Sequence, residues 1–171
     1  MRLAREHARA FRRAVGAVAG EERYLAIVRP FPLPQVKTFV AECVRKKRPT
    51  FVAVAEERLV GGCDAAEKPR PLLAHSGVLG MGVVATHRGR GIGAALMDRT
   101  LADAKAKGFT RIELTVRADN ERAKRRYEKF GFVVEGRYRR HWRRNDGSIW
   151  DALSMGLVLD EEAPGMPDLS G

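Results

Sequence analysis

A glycine-rich turn at residues 88–93 has the clearest chemical potential in this sequence. It reads Arg-Gly-Arg-Gly-Ile-Gly and lies between a run typical of a strand and a pattern typical of a helix. The first turn of a helix leaves backbone N–H groups unpaired, and glycines keep side chains away from an anion that binds there. Arginines add charged donors to phosphate oxygens. The turn therefore predicts a pyrophosphate site formed by Arg88, Gly89, Arg90, Gly91, Ile92, Gly93 and Ala94.

Other interpretations of this turn are weaker. The glycines could serve only a strand-to-helix connection that needs positive φ. A Walker phosphate loop requires Lys followed by Ser or Thr, which this turn lacks. Gly89, Gly91 and Ala94 match the dinucleotide fingerprint, which also requires a parallel βαβ unit and an acid at the end of the next strand. The nearest acid, Glu113, falls within the next predicted strand, so a dinucleotide site is disfavoured.

Two segments in the same order along the chain resemble the GNAT (Gcn5-related N-acetyltransferase) family. The pattern Arg88-x-x-Gly91-x-Gly93 is similar to the family's acyl-CoA pyrophosphate motif. Residues 120–132 are similar to its Asn-x-x-Ala-x-x-x-Tyr-x-x-x-Gly-Phe segment. The chain beyond residue 135 resembles the closing strands of members that acetylate amino acids, small amines or protein N-termini. The resemblance covers residues 50–159.

The resemblance implies an α/β fold, the GNAT acyl-CoA acyltransferase fold, with a mixed, mostly antiparallel sheet flanked by helices. It implies an enzyme that transfers an acetyl group from acetyl-CoA to a primary amine by direct attack on the thioester, without a metal. In such folds the strand at 75–84 would splay from the strand at 111–116. Backbone groups of Met81 and Val83 would then pair with the peptide-like pantetheine arm.

The short helix predicted before Gly131 would carry the general acid. By its place in the family segment, Tyr127 would stand near the sulfur and protonate the leaving thiolate, since a pKa of about 10 keeps a tyrosine protonated at pH 7. Asn120 and Ala123 would contact the cofactor. The spacing of Ala123, Tyr127 and Phe130 is also that of a packing stripe, and Asn120 could also cap the helix.

A general base is harder to identify. The acceptor amine must lose a proton before it attacks, because alkylammonium groups have pKa values near 10.4 and α-ammonium groups near 8. His75, at the start of a predicted strand, is the first candidate, although it could be purely structural. Glu22, Glu113 and Asp151 are further candidates. Cys63 has no sequence neighbour that would activate its thiol as an acyl carrier.

Hydrophobic periodicity predicts the elements that must position these residues. Helices are predicted over 6–18, from Pro34 onward, from the glycine turn to about 107, and before Gly131. Strands are predicted over 50–55, 59–63, 75–84, 111–116, 132–135, 137–143 and 149–159. The family's first strand would have only residues 1–4 available.

The chain of 171 residues has 32 Lys and Arg against 21 Asp and Glu, a formal charge of +11. Its length predicts one domain at 1–159, followed by a tail at 160–171. No apolar run approaches the roughly 20 residues that span a bilayer. No signal peptide or disulfide framework is visible, so we expect a cytoplasmic protein without membrane association.

Two basic clusters lie at 122–126 and 137–144, and the second of them favours a different function. The second cluster alternates arginines with Tyr138, His141 and Trp142, a pattern typical of surfaces that bind nucleic acids. The alternative is therefore a nucleic-acid- or ribosome-binding module that keeps the GNAT fold. This cluster could instead be a solvated β-ribbon, and the ribbon could pair with a second copy in a homodimer. The first cluster could reach the 3′-phosphate of the cofactor.

Overall fold

The computed structural model describes residues 1–160, so the predicted tail lies outside the described residues except for Asp160. Its helices are α1 (Ala8–Ala19), α2 (Leu33–Arg45), α3 (Ile92–Ala106) and α4 (Glu121–Lys129). Its strands are β1 (Thr50–Ala55), β2 (Arg58–Glu67), β3 (Ser76–Val83), β4 (Arg111–Arg117), β5 (Val133–Arg143) and β6 (Ile149–Val158). Within residues 1–160, no helix has both the length and the apolar character needed to cross a bilayer.

The strands form one sheet in the order β1-β2-β3-β4-β6-β5. Neighbouring strands are antiparallel except β3 and β4, which run parallel. The parallel ladder is short: it joins residues 76–78 to residues 111–113, and the two strands separate beyond Val78. The predicted fold, a mixed and mostly antiparallel sheet flanked by helices, is confirmed. The separation of β3 from β4 is the feature that makes room for a site.

Helices cover both faces of the sheet because successive residues of a strand point to opposite faces. The cluster under α3 and α4 includes Met97, Ile112 and Met155, all fully buried. The cluster under α1 and α2 includes Val40 and Val52. One face of β2 and β3 therefore packs against α3 and α4, and the other face packs against α1 and α2.

The first residues of the chain pair with the edge of the sheet. The Val52 N–H donates to Met1 O (2.9 Å), and the Leu3 N–H donates to Thr50 O (3.1 Å). Arg2 forms an antiparallel bridge with Phe51. Residues 1–3 thus add a short paired segment to the sheet beside β1. These are residues of the 1–4 stretch that the sequence leaves for the family's first strand.

Two predicted strand boundaries are wrong. β2 does not end at residue 63: it continues to Glu67, because residues 64–67 pair with residues 77–80 of β3. The strands predicted at 132–135 and 137–143 are one strand, β5, which stays paired with β6 through two register shifts. Arg140, with a φ of +54°, lies in the second irregularity, and its N–H donates to Asp151 Oδ1 (2.8 Å). That bond replaces a ladder bond and keeps the strand continuous.

Candidate active site

A groove opens where β3 separates from β4. The Val84 N–H donates to Val60 O (2.9 Å), and antiparallel pairing alternates, so the even-numbered residues of β3 bond to β2. The peptide groups of Leu79, Met81 and Val83 therefore point toward the groove. Six of the predicted site residues line it: Met81, Val83, Arg88, Asn120, Ala123 and Tyr127. The open edge of β3 can pair with a peptide-like ligand.

The glycine turn begins at Arg88, which lines the groove, and leads directly into α3, where a Cβ on Gly93 would lie 3.8 Å from the methyl group of Met81. Gly89 and Gly91 have φ values of +81° and +78°, which other residues rarely adopt. Gly91 is the N-cap of α3, and a Cβ there would meet nothing within 4 Å. The Ala95 N–H donates to Gly91 O (3.1 Å), so the N–H groups of residues 92–94 have no acceptor within the helix. These groups can bind an anion.

Two arginines of α4 extend toward the glycine turn. Arg126 Nη1 lies 3.1 Å from where a Cβ on Gly93 would be, and Arg122 Nη2 lies 3.8 Å from the same position on Gly89. Residues four apart share a helix face, which explains why both reach the turn. Lys124, between them, lies instead near acidic residues of its own helix. The basic cluster at 122–126 therefore adds two cations to the groove.

Arg88 is held by protein groups. Its Nε donates to Val83 O (2.8 Å), and Nη1 and Nη2 donate to the Glu21 carboxylate (2.7 and 2.5 Å). Its guanidinium also lies 4.4 Å from the ring centroid of Tyr24. The hydrogen bonds to Glu21 raise the pKa of Arg88. The side chain thus ties the glycine turn to the segment between α1 and α2, while Arg90 is exposed.

Tyr127 and Asn120 both serve the structure and face the groove. The Tyr127 ring packs edge-on against Phe132, with centroids 5.8 Å apart. Burial raises the pKa of Tyr127 to about 12, so its hydroxyl keeps its proton at neutral pH and can donate. Asn120 Oδ1 accepts the Ala123 N–H (3.2 Å) and caps α4, which leaves the amide nitrogen for a ligand.

The structure does not bring the candidate bases to the groove. His75 is exposed at the start of β3, six residues before Met81, which is about 20 Å along an extended strand. Glu22, Glu113 and Asp151 are each engaged by basic or amide groups of the protein.

A carboxylate that the sequence analysis does not single out, Asp64, lies in a larger cavity beside the groove. The cavity has a volume of about 470 Å³ and lies between α1, α2, β2 and β3. Val18, Met81 and Gly82 line both the cavity and the groove, so the two spaces meet. The sequence signal for Asp64 is faint, because only the continuation of β2 past residue 63 places it opposite Gly80.

A comparison of the sequence with known protein families shows which family this chain belongs to. Residues 15–132 match the "Acetyltransferase (GNAT) family", a stretch that includes the open edge of β3, the glycine turn and α4. The chain belongs to the GNAT acetyltransferase family. This confirms the family, the fold and the enzyme class that the glycine turn and residues 120–132 predict.

Curated relatives of this GNAT protein are named acetyltransferases. The L-amino acid N-acetyltransferase AaaT of Escherichia coli is 34% identical over 110 residues, which are 63% of this chain and 67% of that protein. The mycothiol acetyltransferase of Beutenbergia cavernae is 45% identical over 53 residues, 31% of this chain. The match spans only 18% of the length of that second protein.

Solved GNAT structures share the fold over nearly the whole chain. YncA of Salmonella typhimurium, a putative acetyltransferase solved with acetyl-CoA, has a TM-score of 0.88 at 16% identity and covers 97% of this chain and 96% of its own. The phosphinothricin acetyltransferase of Sinorhizobium meliloti, in complex with acetyl-CoA, has the same score and identity, with 99% and 92% covered. At such identities the likeness shows the fold alone.

Proposed function

We propose that this protein transfers the acetyl group of acetyl-CoA to a primary amine by direct attack on the thioester. One observation carries the proposal: the open edge of β3 and two arginines of α4 line one groove, and the same arginines reach the glycine turn at the N-terminus of α3. The edge suits a peptide-like arm, whereas the helix N-terminus and the arginines suit phosphates. The relative named an L-amino acid N-acetyltransferase supports the choice of an amine acceptor.

The groove residues fit acetyl-CoA by chemical type. The peptide groups of Met81, and the N–H of Val83, would pair with the amides of the pantetheine arm. The N–H groups of residues 92–94 and the side chains of Arg122 and Arg126 would hold the phosphates. Arg88, which is tied to Val83 and Glu21 by three hydrogen bonds, would keep the glycine turn in place rather than bind phosphate directly.

Tyr127 is the proposed general acid. Bound acetyl-CoA supplies an activated thioester, and its sulfur needs a proton as it leaves. Tyr127 lines the groove, and its hydroxyl is protonated at neutral pH and hydrogen-bonds to no protein acceptor within residues 1–160. It is therefore free to donate to the sulfur.

Acetyl-CoA binding and amine-dependent release of CoA test this function together. At 100 times its Kd, acetyl-CoA should raise the free energy of unfolding by about 2.7 kcal/mol, which for a chain of this size is a rise in Tm of roughly 5–10 °C. ADP is the control for phosphate binding alone. A panel of primary amines should include at least one that releases CoA. Without a rise in Tm at millimolar acetyl-CoA, and without any CoA release, the proposal fails.

A second candidate function rests on the ribbon formed by β5 and β6. Arg139, Arg140 and Arg143 are exposed there, and the Tyr138 and His141 rings stack with centroids 4.9 Å apart. Exposed aromatic rings among arginines are typical of surfaces that bind single-stranded nucleic acids. This candidate predicts RNA binding that is independent of acetyl-CoA.

A further inference from the structure

The cavity beside the groove has a floor of backbone rather than of side chains. Gly62, Gly80 and Gly82 face it from adjacent positions of β2 and β3. Where a Cβ on Gly62 or Gly82 would lie, the nearest atoms belong to Phe11 and Val18, each 3.4 Å away. The glycines thus let Phe11, Val18 and Asp64 lie close to the sheet. The cavity beyond them has a volume of about 470 Å³, within the range of roughly 300–1,000 Å³ typical of small-molecule sites.

Asp64 is the only acidic residue lining this cavity in the part of the chain that the structure describes. Its Oδ1 lies 2.9 Å from where a Cβ on Gly80 would be, so the carboxylate lies over the backbone of β3, one residue before Met81. No described group donates a hydrogen bond to it or forms an ion pair with it. Burial raises the pKa of Asp64 to about 6.

Few charged groups surround Asp64. Arg48, which follows α2, is the cation that lowers its pKa, and Arg48 Nη1 lies 3.7 Å from the sulfur of Cys43. Burial raises the pKa of the thiols of Cys43 and Cys63, so both are neutral at pH 7. On α1, Arg12 lines the cavity, and its Nε is engaged by a backbone carbonyl.

A second polar group faces the same space. Thr50, Asp64 and Gly80 are direct neighbours across β1, β2 and β3. Thr50 is 3% exposed and lines the cavity, and its Oγ1 has no hydrogen-bond partner among the described residues. A buried hydroxyl normally has a partner. Thr50 and Asp64 thus place a hydroxyl and a carboxylate, neither with a hydrogen-bond partner among the described residues, next to each other on one cavity. A cation with several N–H donors would need acceptors of this kind.

We propose that this cavity binds the acceptor and that Asp64 receives its ammonium group, which makes the acceptor a primary amine with an uncharged apolar body. The inference rests on the proposed acetyl transfer and adds to it a residue and a substrate class. The walls that would contact the body are apolar, and they include Phe11, Val15, Leu25 and Phe39. Thr50 would accept a second hydrogen bond from the ammonium.

The position of Asp64 suits proton removal before attack. The cavity meets the groove at Met81 and Gly82, next to Gly80, over which the carboxylate lies. One proton passes from the ammonium to Asp64 and then to solvent. The freed lone pair forms the C–N bond as the C–S bond breaks, and the sulfur takes the proton of Tyr127. The second proton of the nitrogen restores Tyr127, so the products are an N-alkylacetamide, CoA and one proton.

Asp64→Asn tests the carboxylate, and Asp98→Asn, on an exposed residue of α3, is the matched control. For an n-alkylamine, wild-type kcat/KM should be flat between pH about 6 and the amine's pKa near 10.4, because ionised Asp64 binds the ammonium form. Asp64→Asn should lower kcat/KM at pH 7 at least 100-fold. Its kcat/KM should then rise about tenfold per pH unit, since only neutral amine reacts.

Acetyl-CoA should raise the Tm of both variants as it does for the wild type, which shows that the fold and the cofactor site are intact. If Asp64→Asn retains kcat/KM within threefold, or loses activity but keeps the wild-type pH profile, the role of Asp64 is overturned while the acetyl transfer stands. If the wild type itself releases no CoA with any amine, the proposed function fails, and this inference fails with it.

A series of n-alkylamines tests the apolar acceptor. From propylamine to hexylamine, kcat/KM should rise about fourfold per methylene. Val15→Phe, which places a larger side chain in the cavity wall, should reduce kcat/KM for hexylamine more than for propylamine. Val28→Phe, outside the cavity lining, is the control. A flat series, or a preference for ethanolamine over propylamine, would overturn the substrate class.

Discussion

Burial raises the pKa of two side chains at or beside the groove. It raises the pKa of Tyr127 to about 12 and that of Asp64 to about 6, because in both cases the ionised form is poorly solvated. At neutral pH the tyrosine therefore keeps its proton, while the aspartate has lost its proton. Two groups with pKa values on opposite sides of pH 7 can act as acid and base in one reaction.

Tyr127→Phe removes the proton donor but keeps the ring that packs against Phe132. We expect kcat to fall by about 10²–10⁴-fold, because the thiolate then leaves without general acid catalysis. The Kd for acetyl-CoA, measured by titration calorimetry, should change less than twofold. Wild-type kcat should show no alkaline decline below pH 10. A loss of acetyl-CoA affinity as large as the loss of kcat would assign Tyr127 to packing alone.

Asp64→Asn should stabilise the fold in a pH-dependent way. The folded pKa of about 6 exceeds the ordinary value of 3.8, so ionisation of Asp64 destabilises the fold fully above pH 6 and not at all below 3.8. We expect the variant to gain roughly 1–3 kcal/mol at pH 7.5 and almost nothing at pH about 3. Calorimetric unfolding at the two pH values measures this. An equal change at both would mean that Asp64 is not a buried, unpaired carboxylate.

At the scale of elements, the two glycines that flank α3 allow the phosphate site to be tested with a matched control. Gly91 precedes the helix and Gly108 follows it, with φ values of +78° and +81°, and neither has a neighbour within 4 Å of a Cβ. Replacing either residue by Ala should destabilise the fold by about 1–2 kcal/mol, because the left-handed conformation is strained for Ala. Only Gly91→Ala should also weaken acetyl-CoA binding, by about tenfold, because its Cβ would project toward the phosphates.

Chemical denaturation and titration calorimetry on the two glycine variants separate strain from binding. Equal acetyl-CoA affinities for Gly91→Ala and Gly108→Ala would show that the turn needs glycine only for its backbone. That result would mean that the phosphates do not lie against residue 91, which contradicts this prediction.

The elements that sequence predicts well are those with local signals. Periodic apolar residues and flanking glycines predict α3 and β3 within two residues of their ends. The second half of β2 lacks such a signal, because Asp-Ala-Ala-Glu has low strand propensity and becomes a strand only by pairing with β3. The continuity of β5 likewise depends on β6.

The same difference explains which site residues could be predicted. Gly91 and Tyr127 belong to motifs with fixed spacing, so sequence alone makes them candidates for the roles proposed above. Asp64 becomes a candidate only when three strands align Thr50, Asp64 and Gly80, which are far apart in the chain. Arg88 also belongs to a motif. Its hydrogen bonds to Glu21 could not be predicted, because they depend on how the segment between α1 and α2 folds.

Across the whole molecule, the arginines that contribute to the net charge of +11 lie in regions with different surroundings. Arg122 and Arg126 face the groove, where a cofactor would neutralise them. On the ribbon of β5 and β6, Arg137 pairs with Asp151, and Arg144 lies near Glu22 and Asp146. The remaining ribbon arginines, 139, 140 and 143, are exposed and form no ion pair with any described residue. The cofactor cannot account for these three charges.

Removal of three positive charges, either on the ribbon or near α1, tests whether the ribbon binds nucleic acid. Arg139→Gln, Arg140→Gln and Arg143→Gln together should leave the Kd for acetyl-CoA and kcat within twofold, because these side chains lie outside the groove lining. The slope of log K against log salt for single-stranded RNA should become shallower by about 2, since each lost phosphate contact changes it by about 0.7. The same change at Arg5, Arg9 and Arg13, exposed on or just before α1, lowers the net charge equally and is the control. If both triple variants shift the slope alike, the ribbon acts only through net charge, and the nucleic-acid function fails.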